Sequence, residues 1–351
     1  MIEDRKKDHI RICMDENVQY DQANGLDHYH LLHNALPECS LDEVNISTEF
    51  IGKYIASPFL ISSMTGGYLN GGEINRQLAE IASTLKIPLG LGSQRIMVEK
   101  PETTSSFSVV REVSKDLIVL SNIGGVQLAA WDRVGELETA IDKIIESVSA
   151  DALIVHLNPL QELVQPEGDT DFRGVLEAIA KTVSHLSPLP IIVKETGAGI
   201  SAFVADQLLQ QGVYAIDIAG AGGTSWSKVE YHRTNEQKEK NQNFGNWGIP
   251  TAHSLQMVES LRTEYTFKLI ASGGIYSATD MLKSLILGAN YCALATPIIK
   301  VLKQDGLSSC IRYLNNLSEE IKTGMCLLGV TSIDELNPSK HLYSTSNYAK
   351  F

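Results

Sequence analysis

Short apolar runs recur along the chain from residue 58 onward, each followed by a longer amphipathic stretch. This alternation restricts the possible folds more than any single motif does. The runs are PFLISSM (58–64), IPLGLGS (87–93), LIVLSNIG (117–124), ALIVHLN (152–158), PIIVKETG (190–197), AIDIAGAGG (215–223), KLIASGG (268–274) and YCALATP (291–297). Continuous Ile, Val and Leu are what parallel strands buried on both faces require, because crossover helices cover each side of the sheet. Helical patterns lie between the runs at 140–148, 175–183, 203–212 and 278–288, the last two stopping at glycine, as helix C-termini often do. Eight such units predict an α/β fold of the TIM (β/α)8 barrel type over residues 58–330. The 351 residues leave room for insertions beyond the about 250 that such a barrel needs. An open doubly wound sheet is the competing arrangement, but it gathers its ligand groups at one switch point. Here polar or glycine-rich residues follow nearly every run.

Residues 1–57 precede the barrel as an extension and 331–351 trail it as a tail. The extension carries RKKDH, expected either to fold over the barrel mouth or to stay an exposed basic N-terminus. Residues 224–250 are polar and strand-poor, and read as a long mobile loop after the sixth strand, either a lid or an inert surface loop. A net charge of -13 argues against nucleic-acid partners and leaves a small anion held by locally concentrated cations. The five cysteines, Cys13, Cys39, Cys292, Cys310 and Cys326, are odd in number and never in Cys-x-x-Cys spacing. They read as buried small hydrophobes rather than a disulfide framework or zinc site. No run approaches the ~18 apolar residues of a membrane span, and charges occupy the N-terminal positions where a signal peptide needs apolar residues. A cytoplasmic protein with no membrane partner is the expectation.

Active sites of such barrels form at the C-terminal ends of the strands, so the tips are read as one constellation. Gly220, Gly222, Gly223, Thr224, Gly273 and Gly274 allow backbone N–H groups to approach an anion at the usual place for a cofactor phosphate. A lone Gly-Gly pair is more often structural; two on neighbouring tips point to phosphate. There is no Gly-x-Gly-x-x-Gly opening a first βα unit and no Gly-Lys-Ser/Thr, which removes the dinucleotide fingerprint and the P-loop. Elsewhere the tips carry Ser63, Thr65, Ser93, Gln94, Arg95, Asn122, His156, Asn158, Gln161, Glu162 and Lys194. Any one of these taken alone reads as a solvated or satisfied structural residue, but barrel closure aims residues on separate strands at one cavity.

The segments RKKDHI, MTGG, GSQR, NIGGVQ, HLNPLQE, VKETGAG, AGAGGTSW, WGIPT, ASGGI and ALATP, in this order, resemble those of the type 2 isopentenyl diphosphate isomerases. These are FMN-dependent barrels of isoprenoid biosynthesis. The resemblance spans nearly the whole chain. It implies FMN, Mg2+ and a reduced nicotinamide, NAD(P)H, that serves only to reduce the flavin, together with assembly as a homo-oligomer of four or more subunits. It further implies that Ser63, Met64, Thr65, Ser93, Asn122, Lys194 and Thr224 contact FMN, with Gly273, Gly274, Ile275, Ala295 and Thr296 against its phosphate. The substrate diphosphate would meet Arg5, Lys6, Ser93, Gln94, Arg95, His156 and Asn158. Glu162 would reach Mg2+, and Gln161 would be the catalytic residue beside the isoprene carbons. The chain departs from the family pattern at Ala219 and Ala221, which stand where a serine and an arginine are common, and at Tyr276, where an arginine is often found.

Moving a double bond in a hydrocarbon requires one carbon to be protonated and another deprotonated. A carboxylate against the isoprene tail would bury an unpaired charge at a cost of several kcal/mol, which a neutral amide avoids. Adjacent residues of an extended segment point opposite ways, so Gln161 and Glu162 are expected to serve different ends of the substrate. The glycine tips alone fit an FMN-dependent 2-hydroxy-acid oxidase or dehydrogenase equally well. That chemistry wants a histidine base after strands six or seven, where only His232 and His253 occur. A non-catalytic flavin- or phosphate-binding protein is the third reading.

Overall fold

In the computed structural model, which describes residues 2–64, 71–233 and 242–344, all eight apolar runs become strands of one closed parallel barrel. In chain order these are β1 (Phe59–Ile61), β2 (Leu89–Gly90), β3 (Val119–Gly124), β4 (Ala152–Leu157), β5 (Ile191–Glu195), β6 (Ala215–Asp217), β7 (Lys268–Ala271) and β8 (Tyr291–Leu294). β8 pairs with β1 to close the ring, Cys292 opposite Phe59. Most strands stop short of the runs because the serines, glycines and prolines at their C-terminal ends leave the ladder and form the tips.

Side chains alternate across each strand, and the packing follows that alternation. Leu60, Leu120, Ile154, Ile192, Ala215, Ile270 and Ala293 form one cluster inside the ring. Their neighbours Ile61, Val119, Val155, Val193, Ile216, Leu269 and Leu294 join the larger core beneath the helices. Two residues further along, the inward row turns polar at Ser62, Asn122, His156, Lys194, Asp217 and Ser272. His156 lies opposite Lys194 on β5, and Lys194 lies opposite Asp217 on β6.

The extension is more built than the sequence indicates. A hairpin of Thr48–Phe50 and Lys53–Ile55 sends Phe50 and Ile55 into the inner cluster. The Phe50 ring meets Tyr291 edge-on at 4.9 Å, and Tyr291 Oη donates to the Glu49 carbonyl, so the hairpin plugs the N-terminal end of the barrel. The tail is tied down as well: Leu342–Ser344 pairs antiparallel with Tyr29–Leu31.

Four helices bear on the mouth: α1 (Ile2–Asp15), α2 (Pro159–Val164), α3 (Trp226–Arg233) and α4 (Thr296–Asp305). α3 corrects the reading of 224–250 as a mobile loop. Its first residues form a packed helix in which Ser227, Val229 and Glu230 are buried; residues 234–241 lie outside the described part. Among the described residues no helix is long and apolar enough to cross a membrane.

Phe50 is fully buried, so Phe50→Ala should cost about 3–5 kcal/mol of stability through lost burial and the cavity it leaves. Urea denaturation checks this. Ligand affinity at the opposite end of the barrel should be unchanged in the folded variant.

Candidate active site

The tips of the barrel enclose a cavity lined by Ser63, Met64, Lys194, Thr224, Gly273, Gly274, Ile275, Ala295 and Thr296 among others. All nine are residues the sequence singled out. Its glycine wall is made of two loops lying backbone against backbone. A Cβ on Gly273 (φ +102) would fall 2.0 Å from the Gly220 carbonyl oxygen, and one on Gly274 (φ +70) 2.3 Å from that of Gly222. Only glycine permits that approach and that dihedral. Thr224 and Thr296 join across this wall through their hydroxyls, 2.9 Å apart.

A polar chain leads from the cavity toward β4. Asn122 Nδ2 donates to Ser63 Oγ at 2.8 Å, and Asn122 Oδ1 lies 2.7 Å from His156 Nδ1. With the amide oriented by Ser63, its oxygen accepts and His156 carries its proton on Nδ1. Gln94 does not join this set. It is fully buried, accepts from the Asn122 backbone N–H at 3.0 Å and donates toward Ser147 Oγ at 3.3 Å. It is therefore a strut between β3 and the helix layer rather than a substrate contact. Arg95 opens a short helix and pairs with Glu99 one turn on, Nε to Oε1 at 2.6 Å. Ser93 is partly buried at the β2 tip. The side chains of Arg5 and Lys6 and the whole of Thr65 lie outside the described residues.

The HLNPLQE segment corrects a second expectation. Pro159 occupies the first turn of α2, where its fixed φ and missing N–H favour helix entry, so Gln161 and Glu162 are not on an extended segment and do not point opposite ways. Both accept from the Asn158 amide, at 3.2 and 3.0 Å. The other Glu162 oxygen accepts from Gln165 Nε2 and from the Asp169 N–H. Asn158 Oδ1 and Gln165 Oε1 are buried without a hydrogen-bond partner among the described residues. Two unpaired amide oxygens thus flank one buried carboxylate.

The sequence reading missed a charged network over the mouth. Glu230 on α3 is fully buried and pairs with His9 on α1 at 2.8 Å and with Arg233 at 2.6 Å. Arg233 also reaches Glu167 at 2.6 Å. Burial pushes the Glu230 carboxyl up, but His9 and Arg233 outweigh it and hold the group below its ordinary range. His9, Cys13 and Trp226 line the cavity. The signal was present: Trp226, Val229, Glu230 and Arg233 share one face at helical spacing.

Residues 169–343 match the family model described as FMN-dependent dehydrogenase. The chain is 44% identical to the isopentenyl-diphosphate delta-isomerase of Pyrococcus abyssi over 95% of its own length and 90% of that protein's. It is 41% identical to the protein of that name from Nostoc sp., over 96% and 95%. The chain belongs to the isopentenyl-diphosphate delta-isomerase family. A flavocytochrome b2 variant with pyruvate bound superposes with a TM-score of 0.69 at 18% identity, covering 98% of this chain and 84% of that one; this likeness bears on the fold alone.

Within the family, the departure at Ala221 has a local explanation. Ala221 is fully buried, and a Cβ on Gly248 would come within 2.9 Å of its own, so the packed backbone leaves no space for a cationic side chain. Ala219 lines the cavity, and so does Tyr276, whose hydroxyl donates to Gln19 Oε1 at 2.5 Å.

Between the cavity-lining residues Lys194 and Thr196 stands a third buried carboxylate, Glu195. Glu195 Oε2 accepts from the backbone N–H groups of Thr196 at 2.6 Å, Gly197 at 2.5 Å and Ala198, while Lys194 Nζ donates to the Glu195 carbonyl oxygen at 2.6 Å. Burial raises the Glu195 carboxyl from 4.5 to about 7 despite these donors and the Lys194 charge. Asp217 is raised by burial too, offset in part by Lys194 and by Ser272. A folded-state value above the unfolded one means that the native protein holds this proton more tightly. The corresponding stability is fully present below 4.5 and is lost as pH rises through about 7. The melting temperature of the wild type, minus that of Glu195→Gln, should therefore fall across this window. Calorimetric scans from pH 4.5 to 8 check it, and a flat difference would contradict it.

Proposed function

We propose that this chain interconverts isopentenyl and dimethylallyl diphosphate with no net redox change. It would use reduced FMN in the barrel mouth and Mg2+ on the diphosphate. The observation that carries the reading is the presence, at the strand tips of one barrel, of a glycine-walled cavity after β6 and β7 and of the Asn158–Gln161–Glu162–Gln165 cluster after β4. The cavity would take FMN, and its wall depends on glycine, because an added Cβ at Gly273 or Gly274 would collide with the facing β6 loop and force the two loops apart. The cluster fits Mg2+. The unpartnered oxygens of Asn158 and Gln165 beside one carboxylate are hard donors, and Mg2+ is commonly held by one or two carboxylates plus water and substrate phosphates. Among the described residues no group of three acidic, His or Cys side chains competes for a metal.

Reduced FMN, once loaded by a nicotinamide, would supply an electron-rich, water-excluding face with its own acid-base nitrogen. Mg2+ would neutralise diphosphate charge. The chain's side chains bind and orient. Lys194 and Ser63 would address the flavin; His156, donating through Nδ1 to Asn122, would need a second proton on Nε2 to donate to the diphosphate, and would meet it as an imidazolium. Arg95 would exchange Glu99 for a substrate oxygen, and Arg5 and Lys6 on α1 would bring further cations. Gln161 would border the hydrocarbon, where a neutral amide leaves no unpaired charge. Neither His232 nor His253 lines the cavity, which weighs against the hydroxy-acid oxidase alternative.

Anaerobic incubation with FMN, Mg2+, dithionite and isopentenyl diphosphate should give dimethylallyl diphosphate by NMR. No conversion with reduced flavin bound would overturn the reading. Gln161→Ala should lower kcat about 100-fold by loss of positioning with FMN affinity intact. Glu162→Gln should chiefly raise the Mg2+ concentration needed for half-maximal rate. Equal flavin loss in both variants would contradict this division of roles.

A further inference from the structure

The glycine cradle by itself supplies backbone donors but no countercharge for a phosphate dianion. Lys194 lies on the inward row and is engaged with the Glu195 carbonyl, and His9 is committed to Glu230. An outer hollow adjoins the cavity at this end, and Tyr276, Thr296 and Pro297 line both. The charged side chains of the outer hollow are Asp21 and Lys300. Asp21 is taken by Lys228 at 2.8 Å and by Asn246 at 2.7 Å.

Lys300 has no ion pair or hydrogen bond among the described residues. It sits on α4 four residues after Thr296, hence on the same helix face, and that helix presents its N-terminal end to the cradle. Its charge is felt in the cavity. Burial pushes the Cys13 thiol up to about 11, and Lys300 partly offsets that rise.

We propose that Lys300 is the cation that reaches over the Thr296 wall to neutralise the phosphate of the bound flavin. The inference rests on the flavin reading above and adds to it a residue that specifies a phosphorylated flavin over an unphosphorylated one.

The test is fluorescence titration of the apoprotein with FMN and, separately, with riboflavin. Lys300→Met should raise the Kd for FMN about 10- to 100-fold, the range expected for a lost charge-assisted bond, and leave riboflavin unchanged. Lys300→Arg should stay within about threefold of the wild type, since the charge is kept. Tyr276→Arg added to Lys300→Met should restore FMN affinity, because that position lines both spaces. Unchanged FMN affinity in Lys300→Met, or an equal loss for both flavins, would overturn the proposal while leaving the flavin reading standing. A wild type that binds neither flavin would overturn both.

Discussion

The mouth of this molecule depends on the register at which the inward row of the barrel changes from aliphatic to polar. Leu120, Ile154, Ile192, Ala215 and Ile270 fill the interior, and two residues on stand Asn122, His156, Lys194, Asp217 and Ser272. The period of a strand is two, so a one-residue slip would carry every inward side chain to the helix layer. His156 would then change places with Val155. The apolar layer therefore does more than fill space: its burial fixes the height and direction of each polar group above it, and ring closure prevents any strand from sliding alone.

Around that polar layer lies buried charge, which is tolerated only where partners are supplied. The chain uses two devices. Glu195 sits in a nest of three successive backbone N–H groups, an arrangement that draws only on main chain. Glu230 is instead met by side chains from elsewhere in the sequence: His9 lies 221 residues away, and Arg233 continues the network to Glu167. The second device joins the extension, the segment after β6 and the loop after α2, three parts that barrel closure alone does not hold together.

The barrel was legible because its signal is a repeated pattern: eight runs of buried-strand composition, all recovered as strands. The glycine wall of the cavity was legible for a similar reason, since glycine at a positive φ is demanded by local backbone geometry that sequence displays directly. What escaped depended on tertiary context. Gln94 stands between Ser93 and Arg95 in an unremarkable polar triplet, and only the packing of β3 against the helices turns it away from the cavity. Gln161 and Glu162 share one helical turn because Pro159 opens α2, an entry signal that the preceding strand pattern obscures. The polarity of 224–250 hid α3, whose apolar face is small and meets Ile12 and Val18 of the extension, a partner that no local pattern announces.

The pairing of Leu342–Ser344 with Tyr29–Leu31 has a consequence for the order of assembly. Tyr29–Leu31 leaves the ribosome before the first barrel strand, yet its partner follows the eighth. During synthesis, which proceeds at about 5–20 residues per second, the early strand waits unpaired while every βα unit is made. The clasp can thus close only after the last barrel unit has been made, so this anchor of the extension is a late product of folding rather than its starting point.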